Sequence, residues 1–182
     1  DPRRRMWHFL GQVKEMGFSG VNNFPTHSIV DGKFRQILEE TGMSVQKEVD
    51  MVGLARRMDL FSIVYVGSPE EARDMAAVGA DVIIAHVGTT IGGSIGVVEA
   101  SMTLEEAADR TQKIIEAGKT VRDDVIYLSH GGPISRPEDA AYINEHTDAV
   151  GFVGASSLER MAIEGSLTDL TREFKSIPLK RK

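Results

Sequence analysis

The 182-residue chain contains no cysteine, which excludes disulfides, zinc–thiolate centres and a cysteine nucleophile within it. No apolar run approaches membrane-spanning length, so a membrane segment is not expected and a cytoplasmic location is the default. An excess of basic residues is also missing. Lys and Arg number 21 against 27 Asp and Glu, a net charge of −6, and non-specific nucleic-acid binding needs the opposite balance. A few cations inside a pocket would still hold an anion, so a small acidic metabolite remains open as partner. Neither an internal repeat nor a low-complexity segment stands out.

What is there describes an ordinary globular protein, 41% hydrophobic and 26% charged, of a length that suits one domain. We assign residues 1–175 to that domain and 176–182 to a tail. The chain opens in a helical pattern, with Asp1 as N-cap, Pro2 at the first turn and Met6, Phe9, Leu10, Val13 and Met16 at helical spacing. No strand precedes that helix, so the chain is expected to be cut from something longer.

Strand and helix patterns then alternate. Strands are expected at 18–24, 60–66, 81–87, 125–130 and 149–154. Helices are expected at 31–40, 45–58, 69–78, 103–117 and 137–146, and from Ser156 and Leu167. Such alternation builds a parallel sheet covered by helices. Five strands fit an open flavodoxin-like sheet or part of an eight-stranded TIM (β/α)8 barrel, which normally needs about 250 residues. The barrel is preferred, as an N-terminally truncated portion with about the last five βα units. The unusual residues decide this: Asn22, Asn23, Tyr65, His86, Ser129, His130 and the turn from Gly154 to Ser157 all fall at carboxyl ends of strands, where barrel enzymes place their sites.

Two glycine-bearing turns follow the last two strands. Gly131 and Gly132, with Gly154, Ala155, Ser156 and Ser157, have the composition of a phosphate cup, in which backbone N–H groups approach an anion. A tight turn with a capping serine explains either one alone. His86 and His130 share the parity of the apolar residues two positions before them, and are candidates for general acid–base catalysis. Histidine also ligates metals, but these strand ends carry no Asp or Glu to complete a divalent-cation site, and no metal ligand is assigned. The polar loop after His86 is a candidate lid carrying Thr89, Thr90 and Ser94. Arg160 is placed to meet an anion or to form a surface salt bridge. Glu39, Glu40 and Glu48 read as solvated helix residues.

Together "GFSGVNNFPT", "DGKFRQILEETGM", "GADVIIAHVGTTIGGSIG", "LSHGGPISRPEDA" and "GFVGASSLER" resemble the phosphoenolpyruvate hydrolase-like TIM-barrel family, over nearly the whole chain. The same barrel forms the C-terminal domain of a plant protein conferring resistance to tomato mosaic virus. The resemblance departs at Asn22, Ser44–Gln46 and Val64, while His86, His130, Gly131, Gly132, Ser156, Ser157, Glu159 and Arg160 match. It implies a hydrolase acting on a small phosphorylated or carboxylated metabolite; on that reading we expect Asn23 and Tyr65 to orient the substrate. Alternatives are a ligand-sensing or protein-interaction barrel without turnover, and a phosphosugar isomerase or lyase. A homo-oligomer is expected, because an incomplete barrel leaves sheet edges open. No cofactor is assigned.

Overall fold

The computed structural model describes residues 3–99 and 102–177. The proposed cap at Asp1 and Pro2, and residues 178–182 of the tail, lie outside the described residues. Helix α1 spans Met6–Glu15, beginning after Arg5. There follow strand β1 (Gly20–Asn22), a 3-10 turn (His27–Ile29), and helices α2 (Gly32–Glu40) and α3 (Val45–Arg57). Strand β2 (Phe61–Val66), α4 (Pro69–Ala77), β3 (Val82–His86), α5 (Leu104–Lys119), β4 (Ile126–His130) and α6 (Pro137–His146) continue the alternation. The chain closes with α7 (Ser156–Glu159) and α8 (Met161–Ser176).

Local chemistry sets most of these boundaries. Ser44, Ser68 and Thr103 each accept a hydrogen bond from the first turn of the helix they precede, satisfying N–H groups that the helix cannot pair itself. Pro69 occupies the first turn of α4, where its missing N–H costs nothing. Gly79 ends that helix at φ +98°, a left-handed conformation that a side chain disfavours.

The four strands form one parallel sheet in the order β1-β2-β3-β4. Each strand lies beside its successor, so the strand order of a doubly wound flavodoxin-like sheet is excluded for them. The expected fifth strand is reduced. Its segment makes only an isolated parallel bridge, Ser129 with Phe152, although three backbone bonds of 2.9–3.0 Å hold residues 150–153 alongside β4. The last helix starts at Met161 rather than at Leu167.

Alternation along the strands gives the sheet two unlike faces. Val64, Val66, Ile83, Ala85 and Tyr127 pack into the main core with Leu10 of α1, Val52 of α3, Met75 of α4 and Ile115 of α5. On the other face Ile63, Tyr65, Val82, Ile84, Leu128 and Val153 make a smaller cluster. There Phe61 is 46% and Ile126 47% exposed, both at the amino ends of their strands. Truncating a filled and an unfilled site separates the two faces. Ile83→Ala should cost about 2–5 kcal/mol of unfolding free energy and Ile126→Ala less than about 1 kcal/mol, read from urea midpoints of the chain.

Candidate functional site

The β3–β4 register pairs His86 with His130 directly, so the rings stand side by side on the face of Ile84 and Leu128. Their centroids are 5.1 Å apart. Tyr65 packs edge-on against both, at 5.8 Å from His86 and 5.2 Å from His130. Phe24 covers Tyr65 at 5.1 Å, and Phe152 stacks on His130 at 6.4 Å. Each histidine is 5% exposed.

Burial sets the charge of the pair. His86 is pushed down to about 4, first by desolvation, then by the neighbouring His130, with Arg110 acting in the same direction. His130 is lowered by desolvation, against the opposing effect of the Val153 carbonyl, which accepts a bond from the ring. Two uncharged imidazoles therefore face each other at neutral pH. The Tyr65 phenol is raised by burial and then by the Glu159 carboxylate, so it stays a neutral O–H.

Backbone groups orient both rings. The Nδ1 of His130 lies 2.6 Å from the Val153 carbonyl oxygen, and the Nδ1 of His86 accepts the Gly88 N–H at 3.2 Å. The exit loops behind them are clamped together: Gly132 N–H donates to the Gly88 carbonyl at 2.8 Å, and Ile91 N–H to the Gly132 carbonyl at 3.1 Å. Gly131, at φ +85°, has no room for a Cβ, which would overlap the Gly88 carbonyl oxygen. These glycines thus serve a close approach of two loops, and the Gly132 N–H is already committed to protein.

The amide of Asn23 is committed too. Its Oδ1 accepts Tyr65 N–H at 2.7 Å, and its Nδ2 donates to the Tyr65 carbonyl at 3.0 Å and to Glu48 at 2.6 Å. In effect the side chain adds one rung to the β1–β2 ladder and fixes Tyr65. Glu48 is no solvated helix residue. It also accepts from the Thr26 hydroxyl and the His27 N–H, both at 2.7 Å. Glu71, buried at the start of α4, accepts from Ser28 Oγ and Gly67 N–H, each at 2.7 Å, and pairs with Arg35 at 2.9 Å. Arg110 donates to the Gly67 carbonyl at 2.7 Å.

The remaining predicted residues form a second group. Gly154 packs under Leu158, and Ala155 precedes α7 without a side-chain cap. Ser156 begins that helix, and the Ser157 hydroxyl is buried without a partner. Arg160 bonds Glu164 and the Gly92 carbonyl, the latter at 3.2 Å, while Glu164 accepts Ser94 N–H at 2.7 Å. The loop carrying Thr89, Thr90 and Ser94 is thereby fastened to α8; residues 100–101 of it lie outside the described residues. Arg160 is a loop clasp in this conformation. Sequence reasoning missed Glu48, Glu71, Thr26, Ser28 and Arg110. The one available signal was Ser68-Pro69-Glu70-Glu71 directly after a strand, a helix start that puts an acid beside the strand end.

Among the described residues, no three His, Cys, Asp or Glu side chains converge to hold a metal ion, and no helix is long and apolar enough to cross a membrane. A cleft of about 1060 Å³ lies along β1 between α1 and α3, and reaches the rim at Asn23, Phe24 and Glu48.

A sequentially ordered parallel sheet with a buried, uncharged histidine pair at adjacent carboxyl ends defines an α/β protein with its polar site at the strand ends. The chain belongs to the phosphoenolpyruvate hydrolase-like family, whose description matches residues 1–177. It is 48% identical over 180 residues to two proteins of Solanum lycopersicum, "ToMV susceptible protein tm-1(GCR26)" and "ToMV resistance protein Tm-1(GCR237)". The match covers 98% of this chain and 24% of each relative, so the chain spans about a quarter of their length. Among solved structures, a nitroalkane oxidase from Streptomyces ansochromogenes aligns with 82% of this chain and 37% of its own, at TM-score 0.46 and 22% identity.

The buried pair makes stability depend on pH. Below 6.5 the unfolded chain protonates His86 while the folded chain resists until about 4. Unfolding is therefore favoured as pH falls through that window, by up to about 3 kcal/mol from this residue. Urea unfolding between pH 7 and pH 4 should show this slope, and His86→Gln should flatten it.

Proposed function

We propose that the chain is the carboxyl-terminal portion of a (β/α)8 barrel and that the His86–His130 pair is its reaction centre. The reaction we favour is hydrolysis of a small phosphorylated or carboxylated metabolite, with phosphoenolpyruvate as the named candidate. The in-register, buried, neutral histidine pair carries this reading, because proton transfer near neutral pH needs an uncharged base within the site. Tyr65 contributes a neutral O–H beside the rings, and Asn23 holds Tyr65 in place. The Ser157 hydroxyl, buried and unpartnered, is the strongest anion-binding candidate in its turn. Gly131, Gly132, Gly154, Ala155, Ser156 and Arg160 shape the surrounding loops.

The barrel reading is supported by the sequential strand order, and by an inner-type face whose large side chains stay open at the amino ends of the strands. The open cleft along β1 leaves room for the preceding strand that this reading requires. For the same reason the chain alone is expected to associate through its open edges. The family description supports a hydrolase. The tomato relatives, named for virus susceptibility and resistance, favour the competing reading of a ligand-sensing or protein-interaction barrel.

Turnover separates them. The full-length protein should release pyruvate from phosphoenolpyruvate in a coupled assay. His130→Asn should lower the rate about 10²–10⁴-fold, the usual contribution of a positioned proton-transfer group. No turnover by wild type would favour the sensing barrel.

A further inference from the structure

The contacts at the two Nδ1 atoms are of opposite kinds. A carbonyl oxygen has no hydrogen to give, so the 2.6 Å contact with Val153 requires a proton on Nδ1 of His130. The Nε2 of that neutral ring then carries a lone pair. A backbone N–H cannot accept, so the Gly88 contact requires a lone pair on Nδ1 of His86. The Nε2 of His86 then carries the proton. Side by side, 5.1 Å between centroids, the rings present one base and one hydrogen-bond donor.

Resting on the reading that this pair is the reaction centre, we propose that the opposite tautomers make it an enolising site, which exchanges protons at the carbon beside the carbonyl of a small 2-oxo acid. His130 Nε2 takes a proton from that carbon. The C–H electron pair becomes the C=C bond, and the carbonyl π pair moves onto its oxygen. That oxygen accepts the hydrogen bond from His86 Nε2–H, so the developing charge meets a donor already in place. Reversal returns a proton from His130 to carbon, and no oxidant, reductant or further reactant enters. A neutral imidazole as donor beside a separate base is an established solution for enolisation. Hydrolysis of an enol phosphate at this site would release an enol, and the same two nitrogens would convert it to the ketone.

The first test reads the wild-type chain and needs no turnover. Long-range proton–nitrogen NMR of histidine-labelled chain at pH 7 should find the unprotonated nitrogen at Nε2 in His130 and at Nδ1 in His86. The same tautomer in both rings would overturn the proposal. The second test follows the methyl signal of pyruvate in D2O with full-length protein. Exchange should exceed the protein-free rate and fall at least about 10²-fold in His130→Asn. His86→Gln, whose amide still donates, should retain more of it than His86→Leu. Absent exchange, or exchange indifferent to His130→Asn, would overturn it. Exchange with opposite tautomers but no phosphoenolpyruvate turnover would sink the hydrolase reading and support this one. Turnover with equal tautomers would do the reverse.

Discussion

The rung-by-rung pairing of β3 with β4, from Val82 opposite Ile126 to His86 opposite His130, is the constraint on which the rest of the site depends. A slip of one residue would turn one ring under the helices, since successive side chains point to opposite faces. Two features hold the register. The helix-facing residues Ile83, Ala85 and Tyr127 are buried in one core with Ile115 of α5. Beyond the strands, the Gly132–Gly88 backbone bond extends the pairing into the loops, where Gly131 leaves the space that a side chain would occupy.

Around this fixed pair the rim is built from carboxylates that organise backbone. Glu48 gathers Asn23, Thr26 and His27, and Glu71 gathers Ser28, Gly67 and Arg35. A carboxylate withdrawn from water is tolerable only when its oxygens are well supplied with donors; buried Glu71 and half-buried Glu48 both meet that condition. The consequence reaches the histidines through one chain of contacts: Glu48 fixes Asn23, Asn23 fixes the Tyr65 backbone, and the Tyr65 ring packs against both imidazoles.

Much of this was legible in the sequence. Strand parity put His86 and His130 on one face, Pro69 and Gly79 bounded α4, and strand–helix alternation implied the parallel sheet. What was hidden has physical reasons. Residues 149–154 have strand composition, yet only one bridge forms, since no further strand among the described residues pairs their outer edge. Asn23 reads as a substrate ligand because an amide at a strand end is equally suited to imitating a backbone rung. Glu48 looks like a solvated helix residue, and Arg160 like an anion ligand or a surface ion pair, because helical periodicity does not reveal a loop folded back onto them. The glycines of the supposed cup are equally ambiguous: close approach to an anion and close approach to another loop demand the same missing Cβ.

The central proposal is that small-ligand chemistry takes place at the paired rings rather than in the cleft along β1. Pyruvate added to the full-length protein, with the ring C–H signals of every histidine followed by NMR, tests it most directly. The account predicts that His86 and His130 shift together and saturate at one ligand concentration, while His8, His27 and His146 stay in place. Saturable shifts confined to His27, which lines the β1 cleft, with the strand-end pair unmoved, would contradict it.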